Sequence, residues 1–275
     1  MKATLHCGKR GSADHNDRNF DYENCGDGHI DPSRVKYNYY QSYKDIFPFK
    51  KAEEQFYKDQ YSAWIKEQNK SNKRTRNQNR KKTVKSLLKS PYTKPSEMIL
   101  QIGNRKEHPD PQVFADCVHE FVKSMAPYAE NYHILNVAIH NDEATPHAHI
   151  RGIWDYVDES GNRHISQNKG LEALEIPLPE KEAPVSVHNN RKITFDATIR
   201  EKWYDICEEH GIGINRQPNY ENQVHMEKAQ LIIHDLKKEI DELEKENEML
   251  HEQIEMLEKE LEETKKEKSK NEITR

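Results

Sequence analysis

The stretch that decides the fold is "HNDEATPHAHI", residues 140–150, which sets three histidines and two carboxylates around a Thr-Pro step. The residues before it, "YHILNVAIH" (132–140), and those that follow, "HAHIRGIWDY" (147–156), alternate and are rich in apolar and β-branched side chains. Such segments are typical of strands, and Asn-Asp followed by Pro is typical of a turn. We therefore predict a β-hairpin whose loop is residues 141–146.

The hairpin brings three histidines together. His147 and His149 share a face because they are two residues apart on a strand, and His140 ends the partner strand beside them. Three neutral imidazoles leave coordination positions open on a divalent ion, which could polarise a phosphoryl oxygen. We predict that His140, His147 and His149 are metal ligands. The alternative is that one or two of them are ordinary surface residues of a polar hairpin.

The same stretch resembles the H-x-D-E-x-T-P-H-x-H signature of MobV-type plasmid mobilisation relaxases, also called Pre or plasmid recombination enzymes, within the HUH endonucleases. Its defining positions are filled by His140, Asp142, Glu143, Thr145, Pro146, His147 and His149. Two further segments of the chain resemble the family in the expected order, and together the three span roughly residues 1–155.

The first of these segments is "DHNDRNF", which is similar to the family's H-N-x-R segment, with His15, Asn16 and Arg18 in place. The second, "HIDPSRVKYNYY", is similar to D-x-x-R-x-x-x-N-Y and supplies Asp31, Arg34, Asn38 and Tyr39. The chain departs from the pattern at Asp17, where familiar members carry Gln or Glu. It departs again at Tyr40, where a leucine-type residue is expected.

The resemblance implies a relaxase that nicks and rejoins one DNA strand at a plasmid or mobile-element origin through a covalent link to the 5′ phosphate. Its nucleophile maps to His15, which a carboxylate would orient: Glu143 first, Asp142 second. Arg18 and Arg34 would neutralise charge on the phosphoryl oxygens. Family likeness also favours Mn²⁺, although Mg²⁺ stays open. The predicted catalytic residues are His15, Arg18, Asn38, Asp142 and Glu143.

Two other interpretations of these motif residues stay open. Tyr39 or Tyr40 could be the nucleophile instead, or both could pack in the fold or serve as stacking platforms for single-stranded DNA. Arg34 and Asn38 could simply brace the fold, and Asn38 could equally position His15 or the DNA backbone.

The overall net charge of −5 conceals a basic segment. Residues 66–89 contain 10 basic residues and a single acidic one, interleaved with Asn and Gln. Such a segment can contact phosphates and offer amides to bases, although an exposed solvated helix is the alternative. We predict single-stranded or supercoiled DNA at an origin of transfer as the partner. The predicted DNA-binding residues are Arg34, Tyr39, Lys73, Arg74, Arg76, Arg80, Lys81 and Lys82.

Composition is consistent with one medium-sized core. The 275 residues are 33% hydrophobic and 33% charged, which allows one globular domain and a solvated extension. Cys7, Cys25, Cys117 and Cys207 form no C-x-x-C pair, so we expect reduced thiols. No apolar run is long enough to span a membrane, and the N-terminus lacks the core of a signal peptide. We therefore expect a cytoplasmic protein.

The remaining segments predict an α+β domain over residues 1–220. "KATLHC" and "SEMILQIG" are typical of strands, and "AEEQFYKDQYSAWIKEQ" is typical of a helix. Residues 110–126 carry an apolar stripe at helical spacing, and a last helix is predicted at about 196–210. We predict a mainly antiparallel, HUH relaxase-like sheet with helices packed on one face.

A heptad repeat follows in residues 221–268, with a short disordered tail at 269–275. Position a holds Ile233, Ile240, Asn247, Ile254 and Leu261, and position d holds Leu236, Leu243, Leu250, Leu257 and Thr264. Mostly Ile at a, Leu at d and one buried Asn favour a parallel two-stranded coiled coil, hence a homodimer. A single solvated helix is the alternative.

Two other function classes stay open at this stage. A DNA-binding protein of relaxase ancestry that no longer cleaves would keep the fold and the basic segment. A metal-dependent hydrolase of small molecules would use the same three histidines to activate water. The basic segment argues against the hydrolase, and the intact histidines argue against the non-cleaving protein.

Overall fold

The computed structural model describes residues 1–8, 11–20 and 30–216, together with helical residues between 237 and 257 other than 238, 239, 242 and 252. The described strands form one antiparallel sheet. The strands are β1 (Ala3–Gly8), β2 (Tyr39–Ser42), β3 (Ser96–Ile102), β4 (Tyr132–His140), β5 (His147–Val157) and β6 (Arg163–Ile165). They follow the order β1-β3-β5-β4-β2, and β6 pairs with the far end of β5.

The predicted hairpin is confirmed. Strands β4 and β5 pair antiparallel, with His140 opposite His147 and Ala138 opposite His149. The loop between them is residues 141–146, as the turn chemistry predicts. This register places His140, His147 and His149 at one end of the two central strands.

Six α-helices lie in the described part of residues 1–216. They are α1 (Ala13–Asn16), α2 (Phe49–Arg74), α3 (Val84–Lys89), α4 (Pro111–Ser124), α5 (Gln167–Ala173) and α6 (Arg191–Glu209). Together with the sheet they confirm the α+β class.

The main core lies between the sheet and helices α4 and α6. Phe114 and Phe121 of α4 meet the Trp203 ring edge-on, with ring centroids 6.3 and 5.8 Å apart. From the sheet, Ile139 and Ile150 are buried in the same cluster. The apolar stripe of residues 110–126 is therefore core, as its helical spacing predicts.

Helix α2 covers the opposite face of the sheet, so the expectation of helices on one face is wrong. Phe56 of α2 packs with Leu135 and Ile153 in a second core. Arg151, on the polar side of β5, donates to the Glu53 carboxylate of α2 at 2.6 Å. Because Arg151 has a buried partner, the polar residues that alternate with apolar ones along β5 do not face solvent. Both faces of β5 are covered by helices.

Two helix boundaries differ from the sequence-based expectation. Helix α6 begins at Arg191, since Asn190 caps it by accepting from the Ile193 amide. Helix α2 extends to Arg74, well into the basic segment. In this extension the Asn69 side chain bonds to the backbone amide and carbonyl of Lys82, and the Asn72 side chain donates to the Arg80 carbonyl.

The described part of the chain bears on two expectations from composition. Cys7, Cys117 and Cys207 are free thiols, and Cys25 lies outside the described residues. Among the described helices, none is long and apolar enough to cross a membrane.

Residues Met1–Arg216 form one compact unit, and Gln217–Arg275 form a second. In the second unit the described residues between 237 and 257 are helical. Five predicted a and d residues there are at least half exposed in the single chain: Ile240, Leu243, Leu250, Ile254 and Leu257. The other apolar heptad positions and the tail at 269–275 lie outside the described residues, so the coiled coil and the domain boundary at 220 stay predictions.

Candidate functional site

The three motif segments meet at the loop end of the β4–β5 hairpin. The Asp31 amide donates to the Asp142 carbonyl at 2.7 Å, and the Asn141 amide donates to the Asn38 side-chain oxygen at 2.7 Å. Helix α1 reaches the hairpin through the Asn16 carbonyl, which accepts from His140 Nε2 at 2.7 Å. Segments far apart in sequence therefore form one site.

The predicted histidine cluster is present in the fold. The ring centroids of His140, His147 and His149 lie 4.9 to 5.2 Å from one another. His140 is fully buried and His149 is 6% exposed. His15 faces the same cluster, with its ring centroid 6.0 Å from that of His140 and 5.8 Å from that of His149.

Backbone carbonyls fix the proton positions on two of these rings. A carbonyl only accepts, so the 2.7 Å contact of His140 Nε2 with the Asn16 carbonyl puts the proton on Nε2. His147 Nδ1 likewise donates to the Thr145 carbonyl at 3.0 Å. The lone pairs then lie on His140 Nδ1 and His147 Nε2, the arrangement in which histidine binds a metal.

The donor atoms of the site are suited to binding a divalent metal ion. His140 Nδ1 and both ring nitrogens of His149 are buried without a hydrogen-bond partner among the described residues. Two groups have ligand atoms within 4.8 Å of one another: His15 with His140 and His149, and Glu143 with His140 and His147. Neither group contains all three predicted ligands: His140 belongs to both, His149 is grouped with His15, and His147 is grouped with Glu143. The three predicted rings are neighbours, and His15 and Glu143 complete the two groups of ligand atoms.

The electrostatics favour the neutral forms of His15, His140 and His147. Burial, with the charge of Arg18, lowers the pKa of His15 and of His140 below the usual histidine range. Burial and the neighbouring His149 lower the pKa of His147 to about 4. Neutral imidazoles carry the lone pair that both metal binding and nucleophilic attack require.

Arg18 lies among the loop carboxylates. Its Nε and Nη2 donate to the two oxygens of Asp142 at 2.8 and 2.7 Å, and Nη2 also donates to Glu143 at 3.0 Å. Asn38 donates to Asp142 at 2.7 Å. Arg18 is only 6% exposed and Asp142 is fully buried. Arg18 therefore ties the α1 turn to the hairpin loop, rather than standing open to a phosphate as we expected.

Arg18 holds that position with an unusual backbone conformation. Its φ of 55° lies in the left-handed region, which residues other than glycine seldom adopt. Arg18 Nη1 also lies 3.4 Å from His15 Nε2. Because a guanidinium only donates, this contact favours a lone pair on Nε2 of His15.

The two tyrosines of "NYY" lie on different faces of the sheet. The Tyr40 hydroxyl accepts from Asn38 at 3.0 Å, and its ring centroid is 6.5 Å from that of His140. Tyr39 instead meets His119 of α4, with ring centroids 4.7 Å apart. Successive residues of β2 point to opposite faces, so Tyr40 is the tyrosine on the histidine side.

Glu97 of β3 is a residue of the site that no sequence motif predicted. Its Oε1 accepts from Asn16 at 2.6 Å and lies 3.4 Å from His149 Nδ1. Although burial alone would raise the pKa of Glu97, the His149 ring, the Asn16 amide and the Arg151 charge together hold it below its usual range. The available signal was a single charged residue inside the apolar strand "SEMILQI".

The predicted DNA-binding residues lie in three places, one of which is Tyr39, on the face of β2 that meets His119. Arg34 is half-buried just before the turn Val35–Tyr37, and its amide donates at 3.0 Å to the carbonyl of Asp31, the residue that is hydrogen-bonded to Asp142. The basic residues lie at and after the far end of α2, whose 26 residues span roughly 39 Å at about 1.5 Å each. Lys73, Arg74, Arg76, Arg80 and Lys81 are exposed, whereas the Lys82 ammonium lies 5.5 Å from the centre of the Trp64 ring.

Comparison with solved structures supplies a match for this fold. The chain is similar to "MobM Relaxase Domain (MOBV; Mob_Pre) bound to plasmid pMV158 oriT DNA", an Mn-bound crystal structure at pH 6.8. The TM-score is 0.52 at 16% identity, covering 85% of this chain and 99% of that one. The chain has the fold of a MobV-type relaxase domain. A second Mn-bound MobM structure, at pH 5.5, matches with a TM-score of 0.47 at 17% identity, covering 85% and 100% of the two chains.

Sequence comparison finds no relative. No family model matches the chain, and no curated protein matches it. The likeness therefore establishes the fold, as the motif segments predicted, and the activity is argued from the site.

Proposed function

We propose that this chain is a metal-dependent, site-specific DNA strand transferase that nicks and rejoins one strand at an origin on a plasmid or mobile element. The observation that carries the proposal is the convergence of His15 with His140 and His149, at ring distances of 5.8 to 6.0 Å. A nucleophile beside a cluster of metal-binding imidazoles, in a relaxase fold, suits phosphodiester transfer.

The metal would be held by His140, His147 and His149. A divalent ion bound there would polarise a phosphoryl oxygen of the DNA backbone. Imidazole donors suit Mn²⁺ better than Mg²⁺, which prefers oxygen ligands, and the similar MobM structures are Mn-bound. Mn²⁺ is therefore the proposed ion, with Mg²⁺ as the alternative.

His15 is the proposed nucleophile. Its lone pair attacks phosphorus, a nitrogen–phosphorus bond forms, and the bond from phosphorus to the 3′ oxygen breaks. As the bond forms, His15 gives up the N–H proton of its other ring nitrogen, and the 3′ oxygen takes up a proton and leaves as a hydroxyl. The 5′ phosphate stays on the enzyme. Attack by the 3′ hydroxyl reverses the step and rejoins the strand, so no external energy source is needed. The lowered pKa of His15 keeps its imidazole neutral for this attack.

The loop carboxylates have separate proposed roles. Asp142 is held on both oxygens by Arg18, and Asn38 adds a third contact, so its part is to anchor the α1 turn. Glu143 is then the carboxylate proposed to orient His15, because the two share Arg18: Nη2 donates to Glu143 at 3.0 Å, and Nη1 lies 3.4 Å from His15 Nε2. Arg18 acts through position and charge from within the buried cluster. Arg34, half-buried at the edge of the site, is the arginine proposed to meet the DNA backbone.

The basic segment is proposed to bind DNA away from the broken bond. Helix α2 begins beside the site, where the Phe49 amide contacts the Asp17 side chain, and its basic end lies a helix length away. None of the predicted basic residues pairs with a carboxylate in the part of the chain that the structure describes. The charges are therefore free for phosphates of flanking DNA.

The heptad helix is proposed to make a parallel homodimer. An apolar seam in a single chain would stay exposed, and Ile240, Leu243 and Ile254 are each more than half exposed here. Sedimentation should show a dimer for the full chain and a monomer for a chain ending at residue 220. Association should strengthen with salt, because the flanking positions are rich in acid. A full-length monomer at micromolar concentration would contradict this proposal.

The function is tested by relaxation of a supercoiled plasmid that carries the DNA flanking the gene for this chain. We expect relaxed circles with Mn²⁺, none with a chelator, and recovery when Mn²⁺ is restored. His15→Ala should bind the same DNA without relaxing it. Specific binding without relaxation by the unaltered chain would instead support the non-cleaving DNA-binding protein. Relaxation that survives the chelator would contradict metal dependence.

A further inference from the structure

Glu97 is a buried carboxylate at the base of the site that belongs to none of the motif segments. It lies on β3, is 5% exposed, and faces His149 on the neighbouring strand. Arg151 is the cation next to it, but Arg151 Nε is 2.6 Å from Glu53 and its Nη1 is 3.9 Å from Glu97. The charge of Arg151 therefore belongs chiefly to Glu53, and Glu97 is directed at the histidine cluster.

Asn16 links Glu97 to the two other functional parts of the site. Its side-chain amide donates to Glu97 Oε1 at 2.6 Å, and its backbone carbonyl accepts from His140 at 2.7 Å. Asn16 follows His15 directly and is 1% exposed. His140 thus contacts Asn16, Asn16 contacts Glu97, and Glu97 contacts His149. His15, the proposed nucleophile, is the residue directly before Asn16.

The backbone before α1 also packs against this carboxylate. A Cβ built on Gly11 would lie 2.0 Å from Glu97 Oε2 and 2.3 Å from Oε1. A residue larger than glycine therefore fits at position 11 only if the carboxylate or the segment moves. Glu97 is therefore enclosed by the segment that carries His15 on one side and by His149 on the other.

Glu97 and His149 are in close contact, but the contact does not have the geometry of a hydrogen bond. The Nδ1 to Oε1 distance is 3.4 Å, and His149 Nδ1 has no hydrogen-bond partner of good geometry among the described residues. A carboxylate at this nitrogen favours a proton on Nδ1 and a lone pair on Nε2, as in carboxylate–histidine–metal arrangements.

We propose that Glu97 is a positioning residue for the proposed reaction. It sets the tautomer of His149, and through Asn16 it holds the His15 turn against the three-histidine cluster. This inference rests on the proposed function, since it concerns the same site. Its test uses metal binding in the absence of DNA, so that it can fail while strand transfer still stands.

The test compares Glu97→Gln with Glu53→Gln in the full chain. Both remove one buried carboxylate next to Arg151 and keep the side-chain shape. In the described part of the chain, however, Glu53 bonds to Asn136 and Arg151 and to none of the clustered histidines. Mn²⁺ affinity is measured by titration calorimetry. We expect Glu97→Gln to weaken Mn²⁺ binding about 10- to 100-fold, the usual effect of losing a carboxylate behind a metal-bound histidine. Glu53→Gln should bind as the unaltered chain does.

A second measurement protects against a general loss of folding. Nitrogen-15 shifts of the imidazoles in the metal-free protein report the His149 tautomer, which should be Nδ1–H in the unaltered chain and mixed in Glu97→Gln. Glu97→Asp keeps the negative charge but moves it back by one methylene group. Its Mn²⁺ affinity and its fraction of the Nδ1–H tautomer should therefore lie between those of the unaltered chain and of Glu97→Gln.

Equal Mn²⁺ affinity in Glu97→Gln and the unaltered chain, or equal losses in Glu97→Gln and Glu53→Gln, would overturn the inference and leave the proposed function intact. The inference also fails if the His149 tautomer is unchanged in Glu97→Gln. If the unaltered chain binds no Mn²⁺, the metal site of the proposed function fails, and the inference fails with it.

Discussion

Arg18 offers a direct test of how the site is held together. Its guanidinium makes two contacts with Asp142 and one with Glu143, and its side chain is 2% exposed. Replacement by methionine keeps most of the volume and removes the charge. The change leaves a fully buried Asp142 with Asn38 as its remaining described partner.

The magnitude follows from burial. Removing one partner of a buried ion pair costs about 3–5 kcal/mol, because the other charge is left without compensation. In a unit of 216 residues, each kcal/mol lowers the melting temperature by about 2–4 °C, so the loss should be roughly 6–20 °C. Arg18→Met combined with Asp142→Asn removes the stranded charge and should recover a substantial part of this loss.

Arg216 provides the matched control. It has three carboxylate partners at 2.7 to 2.8 Å, from Glu201, Asp205 and Glu208, but its side chain is 37% exposed. Surface ion pairs contribute little because water and salt screen them. Arg216→Met should therefore change the melting temperature far less than Arg18→Met, despite the larger number of pairs.

The assay is thermal unfolding of the full chain followed by circular dichroism, with urea unfolding as a check. An Arg18→Met melting temperature equal to that of Arg216→Met would refute the argument from burial. Failure of the double variant to recover stability would show that Arg18 acts through contacts other than Asp142.

Three further predictions concern the metal, pH and DNA. Alanine at His140, His147 or His149 should each reduce bound Mn²⁺, and full retention in all three would rule out these ligands. The Glu120 carboxylate lies 2.7 Å from His210 and raises the pKa of that histidine in the folded protein. The ion pair therefore stabilises the fold fully at pH values below the pKa of the unfolded histidine. This stabilisation disappears as the pH rises through the pKa of the folded histidine. His210→Ala should therefore lower the melting temperature at pH 5.5 and not at pH 8.5. The last prediction replaces five exposed basic residues by glutamine: Lys73, Arg74, Arg76, Arg80 and Lys81. DNA binding should weaken equally for all DNA sequences, and its dependence on salt concentration should become less steep. An unchanged salt dependence would show that the basic segment does not contact DNA phosphates.

The hairpin could be predicted from sequence because its information is local. Alternation over residues 132–140 and 147–156 fixes which side chains share a face, and the Asn-Asp and Pro residues mark the turn. The histidine cluster follows from that register alone. The joining of His15 to it did not follow from any local pattern, since His15 and His140 are far apart in sequence, and it required the family resemblance.

Other features depended on partners that a sequence does not display. The polar face of β5 could equally be solvated or covered, and only the position of Glu53 on α2 shows that Arg151 is buried. Arg18 could be expected to meet phosphate because its charge is visible in the sequence. Its pairing with Asp142 became visible only when the loop and the α1 turn were brought together.

The geometry also changes which tyrosine competes with His15 as the nucleophile. Tyr39 and Tyr40 are equivalent by sequence, but Tyr40 lies beside Asn38 and His140, whereas Tyr39 packs on His119 of α4. Burial raises the pKa of Tyr40 above its usual value, which disfavours the phenolate needed for attack. His15, held neutral by burial and Arg18, needs no deprotonation. We therefore expect His15 to become joined to DNA.

The two linkages differ in chemistry, so the adduct identifies its own residue. A histidine phosphoramidate hydrolyses readily in acid, whereas a tyrosine phosphodiester resists it. The adduct is trapped on a single strand carrying the origin, and half of the sample is acidified before electrophoresis. We expect the adduct to disappear in acid, to be absent from His15→Ala, and to persist in Tyr40→Phe and Tyr39→Phe. An acid-stable adduct that His15→Ala still forms and Tyr40→Phe does not would move the nucleophile to Tyr40, because that hydroxyl already lies within the site that Asn38 and His140 define.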